Sequence, residues 1–213
     1  MQNELKKRIL SSIVLIPIVF FWILKGSYFF FILLLLGFFI SSYEWHSLSK
    51  NKKYYIFGFI FLICSFFSMY QIRNVQDNTY QMFIVILLIC ILTDIGGYAF
   101  GKLFKGPKLT TYSPNKTING LIGSYILALS ILPFLYHFKI FAQKNILLMI
   151  IFVILISTTS QIGDIIVSIF KRKSNIKDTG KIIPGHGGLL DRIDGMLFAF
   201  PVGYLINFTN LFS

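Results

Sequence analysis

Residues 145–172 read NILLMIIFVILISTTSQIGDIIVSIFKR, a long apolar run that ends in basic residues, and this pattern dominates the chain. Such a run is long enough to cross the ~30 Å hydrocarbon core of a bilayer as an α-helix. The whole chain is 55% hydrophobic and 13% charged, with a mean hydropathy of +0.73. Soluble domains carry about 25% charged residues, so this composition excludes an ordinary soluble domain and indicates an integral membrane protein.

Similar apolar runs recur along the sequence and predict an all-α, polytopic membrane fold with about seven transmembrane helices. No run alternates as the strands of a membrane barrel do. The first run follows Lys6-Lys7-Arg8 without a small-residue cleavage site after it, so we interpret it as a retained span and not as a signal peptide. The expected spans are residues 9–24, 28–43, 54–70, 80–101, 118–138, 145–170 and 189–212.

The distribution of basic residues predicts the orientation of these helices. Seven spans with a cytoplasmic amino terminus place fifteen of the twenty Lys and Arg residues inside and four outside, with Arg192 at the start of the last span. Cytoplasmic loops carry such an excess, so we expect an N-in, C-out topology. The net charge of +12 is interpreted in the same way, as patches near anionic headgroups, and we expect no nucleic-acid partner.

Two long polar loops divide the chain by expected function. Residues 1–93 are predicted to be amino-terminal membrane helices, and residues 94–213 a catalytic membrane domain that carries cytoplasmic loops 102–117 and 171–188. Chemistry on a soluble substrate is expected at these loops. Cys64 and Cys90 lie in apolar runs, so neither a disulfide framework nor a zinc site is predicted.

Four aspartates are expected to approach the cytoplasmic interface: Asp94, Asp164, Asp191 and Asp194. A carboxylate at membrane depth costs about 2.5–3.5 kcal/mol, so several together need a reason. Asp191 and Asp194 share one helix face and repel each other unless a cation lies between them; oxygen ligands beside a phosphate favour Mg²⁺. Pairing with a nearby Lys or Arg is the structural alternative, chiefly for Asp94. We interpret three other carboxylates as peripheral: Glu4, Glu44 and Asp77.

A polar stripe on the sixth predicted span consists of Gln161, Asp164 and Ser168. Such a stripe either joins membrane helices to each other or lines a site. Because it leads into Lys171 and Arg172, we favour the wall of a site. In the other loop, Ser113 is expected to cap the next helix, with a proline at its first position.

The loop after this stripe combines cations with glycines. Lys171, Arg172 and Lys177 form a basic cluster suited to a triphosphate or a lipid phosphate, with an ordinary cytoplasmic loop as the alternative. The glycines at 185, 187 and 188 let the backbone approach phosphate oxygens or adopt positive φ before the last helix. His186 either hydrogen-bonds a phosphate or holds the loop in place.

Residues 168–194, SIFKRKSNIKDTGKIIPGHGGLLDRID, resemble the signature of CDP-diacylglycerol synthases, also called phosphatidate cytidylyltransferases. A second block over residues 94–123 is similar to the same family. Two positions depart from the family pattern: Asn119 replaces a usual Glu, and Gly195 replaces a common Ser. The chain also matches the family with fewer amino-terminal spans. The matching positions are Ser168, Lys171, Arg172, Lys177, Asp178, Gly180, Pro184, His186, Gly187, Gly188, Asp191, Arg192 and Asp194, and then Asp94, Gly96, Gly97, Tyr98, Gly101, Lys102, Ser113, Pro114, Lys116, Thr117, Gly120 and Gly123.

The resemblance implies transfer of CMP from CTP to phosphatidate in the inner leaflet, giving CDP-diacylglycerol and pyrophosphate. It also implies a bacterial inner-membrane location with a cytoplasmic active site, and a homodimer. The alternatives are a CTP-dependent cytidylyltransferase or kinase acting on another lipid, and a small transporter. The implied catalytic residues are Lys171, Arg172, Lys177, Asp178, His186 and Arg192; the substrate-binding residues are Lys102, Ser113, Lys116, Thr117, Gln161, Ser168, Gly187 and Gly188; and the ligands of Mg²⁺, with or without a second cation, are Asp191, Asp194, Asp164 and Asp94.

Overall fold

The structure is a computed structural model that describes residues 2–74, 79–110, 113, 116–138, 145–180, 182 and 187–208. Within these ranges the regular secondary structure is α-helical and no strand is formed, which confirms the all-α prediction. The helices are α1 (Gln2–Lys25), α2 (Ser27–Ser49), α3 (Tyr55–Asn74), α4 (Thr79–Phe104), α5 (Ile118–Leu129), α6 (Leu132–His137), α7 (Ile146–Lys173) and α8 (Leu190–Phe208).

Length and hydropathy identify the membrane-crossing helices. Five segments of the described chain are long and apolar enough to span a bilayer: α2, α3, Tyr80–Phe104 of α4, Ile118–His137 across α5 and α6, and α7. Ile13–Lys25 of α1 is a shorter apolar helix, and α8 has 19 residues with Asp191 in its first turn. The architecture fits the predicted seven spans, and the N-in, C-out orientation stays a prediction.

Several helices run further than the predicted spans, and the ends of α4 and α7 change where the polar loops begin. We expected the loops to begin at Lys102 and Lys171, but α4 continues to Phe104 and α7 continues to Lys173. The basic side chains near these ends therefore project from helices and not from loops. Cations are favourable at a helix carboxyl end because they interact with the last carbonyl groups and the helix dipole.

The outward faces of the helices are apolar, as expected when lipid is the solvent. Phe57 on α3 and Ile126 on α5 are 73% and 53% exposed. Without a hydrophobic drive between helices in lipid, association depends on close packing and on hydrogen bonds between helices. Both are found within the two compact units of the chain, which are described separately below.

The first unit comprises Met1–Tyr80 and Phe170–Ile193. In it, Arg73 on α3 donates from Nε to the carbonyl oxygen of Ile23 at 3.0 Å, which satisfies a free carbonyl at the end of α1. Trp45 on α2 donates from Nε1 to the carbonyl oxygen of Tyr55 at 2.9 Å. The Trp45 ring also meets the ring of Phe170 edge-on, with centroids 5.3 Å apart. These contacts join α1, α2, α3 and the end of α7.

The second unit comprises Gln81–Ile169 and Asp194–Ser213. Hydroxyl groups link its helices: Thr93 donates to Ser157 Oγ at 2.9 Å, and Ser124 donates to the Thr93 carbonyl oxygen at 2.8 Å. This division follows packing and does not test the functional boundary at 93/94, which stays a prediction.

Candidate active site

A cleft of about 300 Å³ opens within the second unit, among α4, α5, α7 and the segment before α5. We call it the aspartate cleft. It brings together six of the residues predicted to form the site, from sequence positions 94 to 164. Its lining residues are Thr93, Asp94, Gly97, Tyr98, Leu109, Ser113, Lys116, Thr117, Gly120, Leu121, Ser124, Gln161, Asp164 and Ile165.

Two carboxylates and one ammonium group give the cleft its charge. Lys116 forms a salt bridge with Asp164, and their side chains are 26% and 30% exposed. Asp94 on α4 lines the same cleft and is exposed. Charged groups that are part-exposed in a cleft remain accessible to a ligand, so a phosphate group can compete with Asp164 for Lys116.

Glycines bring α4 and α5 into backbone contact beneath this cleft. A Cβ atom on Gly96 would lie 2.5 Å from the carbonyl oxygen of Gly123, and one on Gly120 would lie 2.7 Å from that of Gly97. Real Cβ atoms essentially never approach other atoms so closely. The glycines of the second family-like block are therefore required by helix packing, and this packing places Asp94 beside the segment that carries Lys116.

The segment before α5 is fixed by backbone hydrogen bonds. Leu109 donates to the carbonyl oxygen of Lys116 at 2.7 Å, and Lys116 donates to that of Ser113 at 3.0 Å. The N-cap of α5 is Thr117, whose Oγ1 accepts the amide of Gly120 at 3.1 Å. The prediction that Ser113 caps this helix was wrong, because Thr117 is the N-cap and the helix begins at residue 118.

Two of the three residues of the predicted polar stripe on α7 line the cleft, and the third does not. Gln161 and Asp164 line the aspartate cleft, and Gln161 Nε2 donates to Ser157 Oγ at 3.3 Å. Ser168 is 8% exposed and does not belong to the cleft lining. Lys102 also lies outside that lining, and its Nζ donates to the Tyr98 hydroxyl at 3.4 Å.

Both departures from the family pattern have a local role. Asn119 Nδ2 donates to the carbonyl oxygen of Phe104, the last residue of α4, at 3.3 Å. An ionised Glu has no donor and could not form this hydrogen bond. A Cβ atom on Gly195 would lie 2.4 Å from Ser160 Oγ. The small residue therefore lets α8 approach α7 at this point, and a serine there would have to displace the Ser160 side chain.

The first unit holds the second group of predicted site residues. Lys171 Nζ lies 2.8 Å from Asp191 Oδ1, and the two side chains are 13% and 10% exposed. The other oxygen, Oδ2, accepts the backbone amide of Thr179 at 2.7 Å. Asp191 is therefore held by an ion pair and a backbone donor, one on each oxygen.

The other predicted charged residues of this loop are exposed on the surface of the first unit. Lys177, Asp178 and Arg192 are exposed, and Arg172, also exposed, donates to the carbonyl oxygen of Ile176 at 3.5 Å. Gly187 has the positive φ that was predicted for this loop, at 88°. Gly188 is packed against Thr179, whose Oγ1 would lie 2.1 Å from an added Cβ. His186, Gly185 and Pro184 lie outside the described residues.

Sequence analysis missed Glu44, which we had assigned to the periphery. Glu44 on α2 is 1% exposed, and its carboxylate accepts hydrogen bonds from the backbone amides of Leu189 and Leu190. The peripheral assignment was therefore wrong. The predicted span ended at residue 43, whereas α2 continues to Ser49 and contains Glu44. The available signal was a carboxylate directly after an apolar run, since a carboxylate within a membrane helix marks a functional position by default.

Asp191 and Asp194 lie three residues apart in α8, as predicted. Asp194 is 8% exposed, and its Oδ1 accepts the amide of Gly195 at 2.9 Å. In the part of the chain that the structure describes, no group of three or more His, Cys, Asp or Glu side chains forms a ready cage for a metal. Mg²⁺ needs only one or two carboxylates when phosphate and water supply the other ligands, so the carboxylates of the aspartate cleft fit this ion.

These features define an all-helical membrane protein with a polar, carboxylate-lined cleft. The chain belongs to the cytidylyltransferase family, whose model matches residues 53–209.

Several curated relatives are similar to this chain over different lengths. A phosphatidate cytidylyltransferase of Staphylococcus haemolyticus is 41% identical over 135 residues, which are 63% of this chain and 51% of the relative. One of Staphylococcus epidermidis is 36% identical over 78% of this chain and 65% of the relative. One of Rickettsia typhi is 34% identical over 94% of this chain and 90% of the relative. The chain thus spans about half to two thirds of the staphylococcal relatives and most of the rickettsial one.

Proposed function

We propose that this protein transfers CMP from CTP to phosphatidate, giving CDP-diacylglycerol and pyrophosphate. The observation that carries the proposal is the aspartate cleft, which contains the Lys116–Asp164 ion pair and Asp94 in a chain of the cytidylyltransferase family. The relatives from Staphylococcus and Rickettsia bear the name of this activity. The membrane location of the helices suits a substrate whose acyl chains stay in lipid.

The reaction needs no nucleophile from the protein. A phosphate oxygen of phosphatidate attacks the α-phosphorus of CTP, the bond from that phosphorus to the bridging oxygen of the β-phosphate breaks, and pyrophosphate leaves with the electron pair. The work of the site is then to orient two anions and to reduce their repulsion. Lys116 is placed to meet a phosphate, because its ammonium group is part-exposed in the cleft.

We propose Mg²⁺ as the cofactor, with Asp94 and Asp164 as its ligands in the aspartate cleft. When bound, the ion neutralises phosphate charge and stabilises the leaving pyrophosphate. A role for Asp191 and Asp194 as further ligands stays a prediction from the sequence. Asp191 already forms an ion pair with Lys171 and accepts the backbone amide of Thr179. If Asp191 binds a metal, it must do so in addition to these contacts or in place of one of them.

The site is proposed to face the cytoplasm, where CTP is available, in an N-in, C-out protein. A reporter fused after Ser213 tests this orientation. We expect a reporter that is active only outside the cytoplasm to be active, and one that is active only in the cytoplasm to be inactive. A cytoplasmic signal would contradict the seven-span topology.

The substrate assignment is tested with α-labelled CTP and vesicles that contain one candidate acceptor each. The acceptors are phosphatidate, a polyprenyl phosphate and diacylglycerol, all at the same mole fraction. We expect label in the phosphatidate vesicles and none above background in the others. Label on polyprenyl phosphate in preference to phosphatidate would replace the proposed substrate.

A pair of variants ties that activity to the aspartate cleft. Lys116→Met removes the cation that lines the cleft, and we expect turnover to fall by about 100-fold or more, as for the loss of one strong electrostatic contact to the reacting group. Lys53→Met is the matched control, because it removes a lysine from the exposed turn between α2 and α3. Equal activity of the two variants would place the phosphate site elsewhere.

A further inference from the structure

Glu44 receives three hydrogen bonds from one short stretch of the chain, residues 179–190. Its Oε1 accepts the amide of Leu189 at 2.9 Å. Its Oε2 accepts the amide of Leu190 at 2.8 Å and the hydroxyl of Thr179 at 2.9 Å. The side chain is 1% exposed, so these donors replace water completely.

Two of these donors belong to the start of α8, which begins at Leu190. The first amides of a helix have no partner within the helix, and an anion near them is favoured by the helix dipole. Helices commonly obtain this cap from a residue directly before them. Here the cap comes from α2, 145 and 146 residues away in sequence.

The backbone at two described positions lies so close to Glu44 that only glycine fits there. A Cβ atom on Gly180 would lie 2.6 Å from Glu44 Oε1. One on Gly188 would lie 2.8 Å from Glu44 Oε2 and 2.1 Å from Thr179 Oγ1. These two glycines belong to the family-like block, and the structure gives their reason: they make room for the Glu44 carboxylate.

Thr179 connects this carboxylate to the ion pair described above. Its hydroxyl donates to Glu44 Oε2, while its backbone amide donates to Asp191 Oδ2 at 2.7 Å. The other oxygen of Asp191 pairs with Lys171 at 2.8 Å. A displacement of the Thr179 hydroxyl therefore moves the backbone donor that orients Asp191.

We propose that Glu44 is a positioning residue, which holds Thr179 and the start of α8 and thereby sets the geometry of the Asp191–Lys171 pair for the transfer reaction. The proposal rests on the proposed function and on the roles in catalysis and metal binding that the sequence predicts for Lys171 and Asp191. Glu44 does not touch the reacting atoms. Its effect passes through Thr179 and through the first turn of α8.

Glu44→Gln tests the proposal with a nearly unchanged side-chain shape. It replaces one acceptor oxygen with an amide NH₂ group, which can only donate. The single remaining oxygen can accept either from Leu189 or from Leu190 and Thr179, but not from all three. Because a misplacement of about 1 Å can cost 10²-fold in rate, we expect kcat to fall by about 100-fold while KM for CTP changes by less than about threefold. Ser41→Ala, on the same helix and equally buried, is the matched control and should keep normal kcat.

A milder variant covers the case in which Glu44→Gln does not fold. Thr179→Val removes the hydroxyl that donates to Glu44 but keeps the backbone amide that donates to Asp191. We expect an intermediate loss of kcat, and amide hydrogen exchange at Leu189 and Leu190 should stay slow. In Glu44→Gln the exchange of these two amides should accelerate at least tenfold, which is a readout independent of turnover.

The outcomes separate this proposal from the proposed function. Wild-type protein without CMP transfer would contradict the function, whereas the exchange experiment would still show whether Glu44 holds the start of α8. An active wild type together with a fully active, folded Glu44→Gln would overturn the positioning role alone. A loss of folded protein with unchanged kcat per folded molecule would also overturn it, because Glu44 would then serve stability only.

Discussion

Removal of Lys171 tests whether its pair with Asp191 is a structural support, a reaction component or both. Lys171 Nζ lies 2.8 Å from Asp191 Oδ1, and the two side chains are only 13% and 10% exposed. Removing one partner of a buried ion pair costs about 3–5 kcal/mol, because the other charge stays buried without compensation. Because both side chains keep some exposure and Asp191 still accepts the Thr179 amide, we expect Lys171→Met to lower the free energy of unfolding by about 3 kcal/mol, the lower limit of that range.

This loss is measurable as thermal unfolding in one fixed lipid–detergent mixture. For a chain of about 150–250 residues, 1 kcal/mol corresponds to about 2–4 °C in Tm, so Lys171→Met should lower Tm by about 6–12 °C. Lys173→Met is the control, because Lys173 is exposed on the same helix, and exposed substitutions usually stay within about 0.5 kcal/mol. CMP transfer is measured on the same samples.

The double variant Lys171→Met/Asp191→Asn separates the two roles. It removes both charges, so most of the lost Tm should return. CMP transfer should stay absent, because Lys171 and Asp191 are residues to which the family resemblance assigns catalysis and metal binding. Recovery of transfer together with Tm would refute a role in the reaction and leave the pair as a structural support. An unchanged Tm in Lys171→Met alone would refute the reasoning from burial.

Three further predictions concern the second unit and the α2–α3 turn. Gly96→Ala should lower Tm and turnover together, because its Cβ would lie 2.5 Å from the carbonyl oxygen of Gly123; normal unfolding would contradict the close packing of α4 and α5. Asp164→Asn should raise the Mg²⁺ concentration needed for half-maximal transfer by about tenfold or more, and an unchanged Mg²⁺ titration would exclude this ligand. Lys50→Ala should leave the transfer rate within about twofold in the same assay, since it changes a solvated turn.

The helices were predictable because a membrane span needs a long apolar run, and this chain offers such runs between basic patches. The ends were less predictable. Lys102 and Lys171–Lys173 were assigned to loops because of their charge, but α4 and α7 accept cations in their last turns. Charge alone does not end a helix when the long side chain can extend towards the membrane interface.

The aspartate cleft was largely predictable from residue type. Asp94, Gln161 and Asp164 were chosen as polar groups on apolar spans and Lys116 through the family resemblance, and the cleft contains all four. Ser168 was chosen by the same periodicity, but it lies outside the cleft lining, because a helical stripe does not show where a cleft ends along the helix.

Glu44 and Thr179 could not be found by spacing. Their contact joins positions 135 residues apart, and neither residue belongs to a local pattern of charges. Gly188 was noted as a position that lets the backbone approach a phosphate or adopt positive φ, and Gly180 only as a position of the family-like block. The structure instead shows that both are packed against the Glu44 carboxylate, which is a long-range contact that no short window of sequence contains.

In the proposed reaction the transferred group is CMP, and phosphatidate accepts it. The most direct test compares CTP labelled at the α-phosphorus with CTP labelled at the γ-phosphorus, using reconstituted protein, phosphatidate and Mg²⁺. We expect α-label in chloroform-soluble lipid, γ-label only in released pyrophosphate, and equal amounts of the two products. Label from the γ-position in lipid, or no α-label in lipid from folded protein, would contradict it.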